Sequence, residues 1–265
     1  VEQDKHCLAV LERHWPNVRK VDDVRRVGTV HPFEHCPPEC EDGCQNDPEC
    51  IGAQELVDDY QVDIVYGGFP CQDISAGRDR WGADGIAGER SGLWWEFYRV
   101  IQIARPDFVV IENVERLRTG RGGADLRAVV EGLDEVGYVG CGLVLDALAF
   151  GMPASRPRVF LVAGDARSVG GVERWSRLED GIARHDPGCV LQQRTGQPRP
   201  EDSGAARPTP GSYRLLTPLE MERAMGFPEG WTEGQADGKR RKQLGNAVAV
   251  PVAEWIGHRL MAVKS

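Results

Sequence analysis

The chain has 265 residues, enough for one sizeable core or one core with a small appendage. No run of about 20 apolar residues is present, which excludes a transmembrane helix, and the opening Val1-Glu2-Gln3-Asp4-Lys5-His6 lacks the basic-then-apolar order of a secretory signal. A soluble, cytoplasmic protein with no membrane partner is expected, and its net charge of −9 does not exclude a polyanionic partner, because residues 1–65 hold fifteen acidic and six basic side chains and the rest is balanced.

His6 to His14 places apolar residues at Cys7, Leu8, Val10 and Leu11 and predicts a helix that stops before Pro16. Asp22-Asp23-Val24 follows a short apolar step and reads as the end of a strand. His31 to Cys50 is rich in Pro, Cys and acids and predicts no regular structure. It holds Cys36, Cys40, Cys44 and Cys50, and in a cytosolic chain such a cluster suggests metal more than disulfides. Four thiolates, with His31 and His35 beside them, suit a tetrahedral zinc stapling an insert that has no core of its own. The spacing is not the paired Cys-x-x-Cys form, and reduced free thiols on a polar loop are the rival reading.

The apolar run Val62-Asp63-Ile64-Val65-Tyr66 predicts a strand leading into Gly67-Gly68-Phe69-Pro70-Cys71-Gln72. Ile74 to Gly92 spaces five glycines among charged residues and reads as a loop, whose functional version is a lid. A helix over Leu93–Ala104, a strand over Phe108–Glu112 and a helix over Asp125–Val136 follow, then strands over Gly142–Ala147 and Val159–Ala163. From Gly151 to Leu215 there are ten Arg, no Lys and seven acids, the pattern either of a solvated loop or of contacts to phosphates and guanine edges. Helices over Thr217–Met225 and Val248–Met261 close the chain. This alternation predicts an α/β fold with a mainly parallel sheet. Two of its strands end on reactive residues, and chemistry in open α/β sheets sits at the carboxyl ends of strands, where the Cys71 thiol and the Glu112 carboxylate would face one substrate.

Six segments, in order, resemble the cytosine-5 DNA methyltransferase family of bacterial or phage type: Gly67-Gly68-Phe69-Pro70-Cys71-Gln72, Arg90-Ser91-Gly92-Leu93, Glu112-Asn113-Val114, Arg156-Pro157-Arg158, Arg214-Leu215-Leu216-Thr217-Pro218-Leu219-Glu220 and Gln243-Leu244-Gly245-Asn246-Ala247-Val248. The resemblance runs from Glu2 to Met261, without the Cys-rich insert and the 165–213 region. It implies a Rossmann-like, S-adenosylmethionine-dependent methyltransferase sheet with a small irregular target-recognition region. The implied division is a catalytic part at 1–164 carrying the insert at 31–50, recognition at 165–213, and a return to the catalytic part at 214–265.

The implied reaction explains these residue types. Carbon 5 of cytosine is too weak a nucleophile to take a methyl group from a sulfonium, and a thiolate added at carbon 6 turns the ring into an enamine whose carbon 5 can attack. By resemblance Cys71 is that nucleophile, Glu112 holds or donates a proton at N3, Arg156 stabilises charge at O2 and Arg158 supports the same edge. The base must leave the duplex to be reached, and the loop after Cys71, with Gln72 and Ser75 near its base, resembles the closing lid. For the cofactor, the resemblance implies Glu2 on the ribose hydroxyls, Asp23 and Val24 on the adenine, and Gly68, Pro70, Leu93, Asn246 and Ala247 on the methionine side. Double-stranded DNA is the implied partner, because the Cys-Phe-Thr feature of relatives that methylate tRNA is absent, and a restriction-modification setting is expected.

The largest departure from the family is at the front. The first motif, a Phe/Gly-rich turn expected before Glu2, is not found, so weak or absent activity is expected of this chain alone. A DNA-binding remnant, or half of a split enzyme completed by a chain supplying that motif, are the alternatives. Ala154-Ser155 also stands where the family has Gln before its two arginines.

Overall fold

The computed structural model describes residues 1–29, 51–52, 62–69, 93–167 and 214–264. Helix α1 (Lys5–His14) starts at Asp4, whose side chain accepts the His6 N–H, and stops at Trp15, ahead of Pro16. Strand β1 (Val27–Thr29) pairs in parallel with β2 (Ile51–Gly52). Strand β3 (Ile64–Gly67), helix α2 (Leu93–Ala104) and strand β4 (Phe108–Val114) follow, then the short α3 (Arg116–Thr119) and α4 (Ala124–Glu135). Strands β5 (Tyr138–Asp146) and β6 (Pro157–Asp165) complete a four-stranded sheet of order β3-β4-β6-β5. Helices α5 (Pro218–Met225), α6 (Asp237–Asn246) and α7 (Val250–Lys264) end the described chain.

Three of the four strands run the same way, as expected of a mainly parallel sheet, and β6 is the exception. β3 and β4 are parallel, but β6 lies antiparallel between β4 and β5. A parallel return needs a crossover of roughly a dozen residues or more, usually a helix, and residues 147–156 between β5 and β6 hold only the single 3₁₀ turn Ala147–Phe150. The chain therefore reverses.

β4 is buried on both faces, as an unbroken apolar run requires. Val109 and Ile111 pack with Trp94 and Ile101 of α2 and Val129 and Leu133 of α4. Phe108 and Val110 pack on the opposite face with Val252, Ile256 and Leu260 of α7. Each such side chain contributes about 1.5–3 kcal/mol over exposure. Of the Trp94-Trp95 pair, expected to serve packing, Trp94 is fully buried and Trp95 is half exposed. Among the described residues no helix is long and apolar enough to cross a membrane.

The C-terminal helices are held by a buried carboxylate. Thr217 and Glu220 form a capping box at the start of α5. One turn on, Glu222 is fully buried. It accepts the Thr232 N–H (2.8 Å) and hydroxyl (2.6 Å), the Gly230 N–H (2.8 Å) and the Arg240 guanidinium of α6 (3.1 Å). The same loop meets α1, where His14 stacks on Trp231 with centroids 3.6 Å apart and Gln235 donates to the His6 carbonyl at 2.7 Å.

Burial alone would raise the Glu222 carboxyl, but the bonds from Thr232, Arg240 and Gly230 outweigh it and hold the group below its usual range. Its contribution to stability is therefore present above the unfolded value of about 4.3 and is lost as pH falls through the lower folded value. Glu222→Ala, which leaves Arg240 and the Thr232 donors facing a void, is expected to cost about 3 kcal/mol in urea unfolding at neutral pH. That cost should shrink in acid as the parent loses the same carboxylate, and a pH-independent difference would contradict this account.

Candidate active site at the ends of the parallel strands

Period-two alternation divides the end of β4 between two tasks. Glu112 lies on the Phe108–Val110 face and Asn113 on the Val109–Ile111 face. Asn113 is buried, its Nδ2 donates to the Phe69 carbonyl at 3.3 Å, and its Oδ1 accepts the Val114 N–H at 2.9 Å. The segment leaving β3 is thereby tied to the end of β4. Gly68 makes the approach possible, since a Cβ there would lie 2.6 Å from the Glu112 carbonyl oxygen and 3.3 Å from its Oε2.

Glu112 Oε1 lies 3.2 Å from Arg158 Nε, with the Glu112 side chain 16% exposed. The register explains the pairing: Glu112 is opposite Phe160, so Arg158 is its diagonal neighbour on the same face. Burial raises the Glu112 carboxyl above its usual range, opposed by Arg158 and then Arg156. Arg156 is engaged elsewhere. Its Nη2 donates to the carbonyls of Gly245 (2.7 Å) and Ala247 (2.9 Å) at the end of α6. Burial and the neighbouring Arg158 lower its pKa, with Glu112 opposing.

A cleft of about 380 Å³ opens between β1 and β3, lined among others by Glu2, Asp23, Val24, Gly68, Phe69 and Leu93. Its size falls in the range of ligand pockets. Asp22-Asp23-Val24 does not end a strand as expected. The Asp23 side chain accepts the Arg25 N–H at 3.0 Å, caps the 3₁₀ turn Val24–Arg26, and β1 begins after it. Arg99 of α2 braces this wall by donating to the carbonyls of Gly28 (2.8 Å), Val27 (2.8 Å) and Val24 (3.2 Å).

Of the residues expected at a cofactor, Glu2, Asp23, Val24, Gly68 and Leu93 share this cleft. Asn246 and Ala247 do not line it; they sit at the α6–α7 junction beside Arg156. Pro70, Cys71, Gln72 and Ser75 lie outside the described residues, as do Cys36, Cys40, Cys44 and Cys50. No cluster of three or more His, Cys, Asp or Glu suited to a metal occurs among the described residues. The sequence reading gave no role to Asn113, Arg99 or Asp146, the last of which accepts the Arg156 N–H at 2.7 Å. A polar residue at the end of an apolar run was the available signal for Asp146, directly after Leu145, and for Asn113, one residue past Ile111-Glu112.

The model of the C-5 cytosine-specific DNA methylase family matches residues 35–172 and 166–262. A Type II methyltransferase of Bacillus subtilis (strain 168), M2.BsuMI, is 30% identical over 302 aligned positions that cover 99% of this chain and 69% of that protein. The Type II methyltransferase M1.ScrFI of Lactococcus lactis subsp. cremoris is 25% identical over 76% of this chain and 62% of its own length. For M.NlaX of Neisseria lactamica the values are 27%, 81% and 81%. The solved structure of the Entamoeba histolytica methyltransferase EhMeth superposes with a TM-score of 0.62 at 14% identity, over 98% of this chain and 88% of its own, a likeness of fold.

Two outcomes follow from this geometry. Gly68→Ala forces its Cβ against the Glu112 carbonyl and is expected to cost about 1–3 kcal/mol in chemical denaturation. Arg158→Ala removes the larger opposing cation, so the Glu112 carboxyl, followed by carbon-13 NMR, should titrate at still higher pH than in the parent.

Proposed function

The chain belongs to the C-5 cytosine-specific DNA methylase family, and from that membership we propose that it methylates carbon 5 of cytosine in DNA through Cys71, Glu112 and Arg158. The observation that carries the residue assignment is the joining of the β3 and β4 ends. Asn113 and Gly68 fix Phe69 against β4, and Cys71 follows Phe69 by two residues in the chain.

Cys71 adds as thiolate to carbon 6 of a cytosine turned out of the duplex. Electron density then moves towards N3 and O2. Burial, which raises the Glu112 carboxyl above its usual range, supports its role as the group that holds or donates a proton at N3. The guanidinium beside Glu112 belongs to Arg158, which supports Arg158 rather than Arg156 as the cation at O2, the reverse of the order read from sequence. Transfer to carbon 5 is followed by loss of the carbon 5 proton and expulsion of the thiol.

The family uses S-adenosylmethionine in general, and it supplies an electrophilic methyl group. The cleft suits it: the carboxylates of Glu2 and Asp23 can accept from hydroxyl and amino groups, and Val24, Leu93 and Phe69 offer apolar wall. We assign Glu2 to the ribose, Asp23 and Val24 to the adenine, and Gly68, Pro70 and Leu93 to the methionine side. Gln72 and Ser75 belong to the DNA-facing loop, and residues 165–213, between β6 and Arg214, to target recognition. The Type II relatives support a modification role in a restriction system on double-stranded DNA, a cytoplasmic setting, and the enzyme over a DNA-binding remnant.

DNA carrying 5-fluorocytosine tests this, because fluorine at carbon 5 cannot leave as a proton and the adduct persists. The expected result is a denaturation-resistant complex that requires S-adenosylmethionine and disappears in Cys71→Ala, with Glu112→Gln forming it about a hundredfold or more slowly. A complex that survives Cys71→Ala, or none with the parent chain over DNA of many sequences, rejects the assignment.

A further inference from the structure

We infer that Asp146 is a positioning residue that acts through Arg156 to hold the two arginines in place at Glu112. The inference rests on the roles proposed above for Glu112 and Arg158. Asp146 ends β5, and its carboxylate gathers both ends of the turn that leads to β6. Oδ1 accepts the Leu148 N–H at 3.0 Å and the Arg156 N–H at 2.7 Å, and Oδ2 accepts the Ser155 hydroxyl at 2.6 Å. The backbone of Arg156 is thus set from one side. Its guanidinium is set from the other by the Gly245 and Ala247 carbonyls, where the end of α6 leaves acceptors without partners in the helix. Arg158, two residues on, begins from that fixed point and reaches Glu112 at 3.2 Å. Ser155, just before Arg156, contributes directly to this fastening.

Among the described residues the charged or titratable groups facing Glu112 are Arg158 and Arg156 from the start of β6 and the Tyr66 phenol from β3. Asp146 faces the turn. This separation gives two explanations opposite signs. Deleting the Asp146 charge acts directly on Glu112 by favouring its ionised form, which lowers its pKa. Releasing Arg156, and with it Arg158, withdraws cations from Glu112 and raises it.

The test is the pH profile of tritium release from DNA whose cytosines carry tritium at carbon 5, at saturating S-adenosylmethionine, since the methyl group replaces that hydrogen. The high-pH limb reports loss of the Glu112 proton. Asp146→Ala is expected to slow release about tenfold and move that limb up by about half a pH unit or more. Asp146→Asn keeps an oxygen for the Arg156 and Leu148 N–H groups and is expected to restore the parent limb to within about 0.2 pH unit. A limb that stays or moves down in Asp146→Ala overturns the inference, and so does an upward shift that Asp146→Asn fails to reverse. If Asp146→Ala loses cooperative melting, Arg156→Lys decides. It keeps the charge but replaces the rigid guanidinium, whose Nη2 donates to both the Gly245 and Ala247 carbonyls, by an amine on a flexible stem, so the limb should again rise, and an unmoved limb overturns the inference. A parent that neither releases tritium nor is trapped by 5-fluorocytosine DNA overturns the proposed function, and the positioning role with it.

Discussion

The register of β4 between β3 and β6 is the constraint on which the site depends. β4 pairs in parallel with β3 and antiparallel with β6, so both neighbours are fixed to one strand. Because side chains alternate, the last turns of β4 send Glu112 towards Arg158 and Asn113 towards the Phe69 carbonyl. A slip of one residue would exchange those faces, turn Asn113 towards the arginine and put a carboxylate against Phe69 and Trp94. The apolar alternation that precedes them forbids it. Phe108 and Val110 fill the α7 side and Val109 and Ile111 the α2–α4 side, so the core that stabilises the sheet also sets the direction of the two polar residues at its end.

Glu112 is set by two effects of opposite sign. Its partial burial penalises the carboxylate, while Arg158 and Arg156 favour it, and the first exceeds the second. A carboxyl ion-paired in full solvent would stay ionised at neutral pH, and one buried without cations would stay protonated far above it. How strongly the two cations oppose burial depends on where the arginines are held. The guanidinium of Arg156 is held by the Gly245 and Ala247 carbonyls, which fixes where its charge lies relative to Glu112.

Much of this was legible in the sequence, and the failures have physical causes. α2, α4, α5 and α7 were readable because each carries an apolar stripe at helical spacing, and β4 because its run is long enough to be buried on both faces. α6 was not: it is Asp-Gly-Lys-Arg-Arg-Lys-Gln-Leu-Gly-Asn, with Leu244 its one buried residue, so it has no stripe to read and is held by tertiary bonds such as Arg240 to Glu222. The antiparallel course of β6 was missed because strand–helix alternation describes order along the chain, and only the length of the 147–156 turn distinguishes a crossover from a reversal. Which of the two arginines pairs with Glu112 was not legible for a similar reason. Arg156-Pro157-Arg158 is symmetrical as a motif, and only the register opposite Glu112 breaks that symmetry.

The α6–α7 junction shows why a segment that contributes no wall to the cleft still belongs to the site. α6 is anchored at its far side by Glu222, through Arg240, to the loop that stacks Trp231 on His14 of α1. At its near end the same helix offers its carbonyls to Arg156. The residues before α1 line the cleft, as Glu2 does, so the helix that terminates on Arg156 is also tied to the segment that supplies one of the cleft's acids. Replacing this chain of polar contacts by apolar packing would preserve compactness, since Met225, Phe227, Val248 and Ala249 already pack into the core around it. What would be lost is direction: apolar contacts do not fix a guanidinium to two carbonyls, and Glu112 is sensitive to where that guanidinium points.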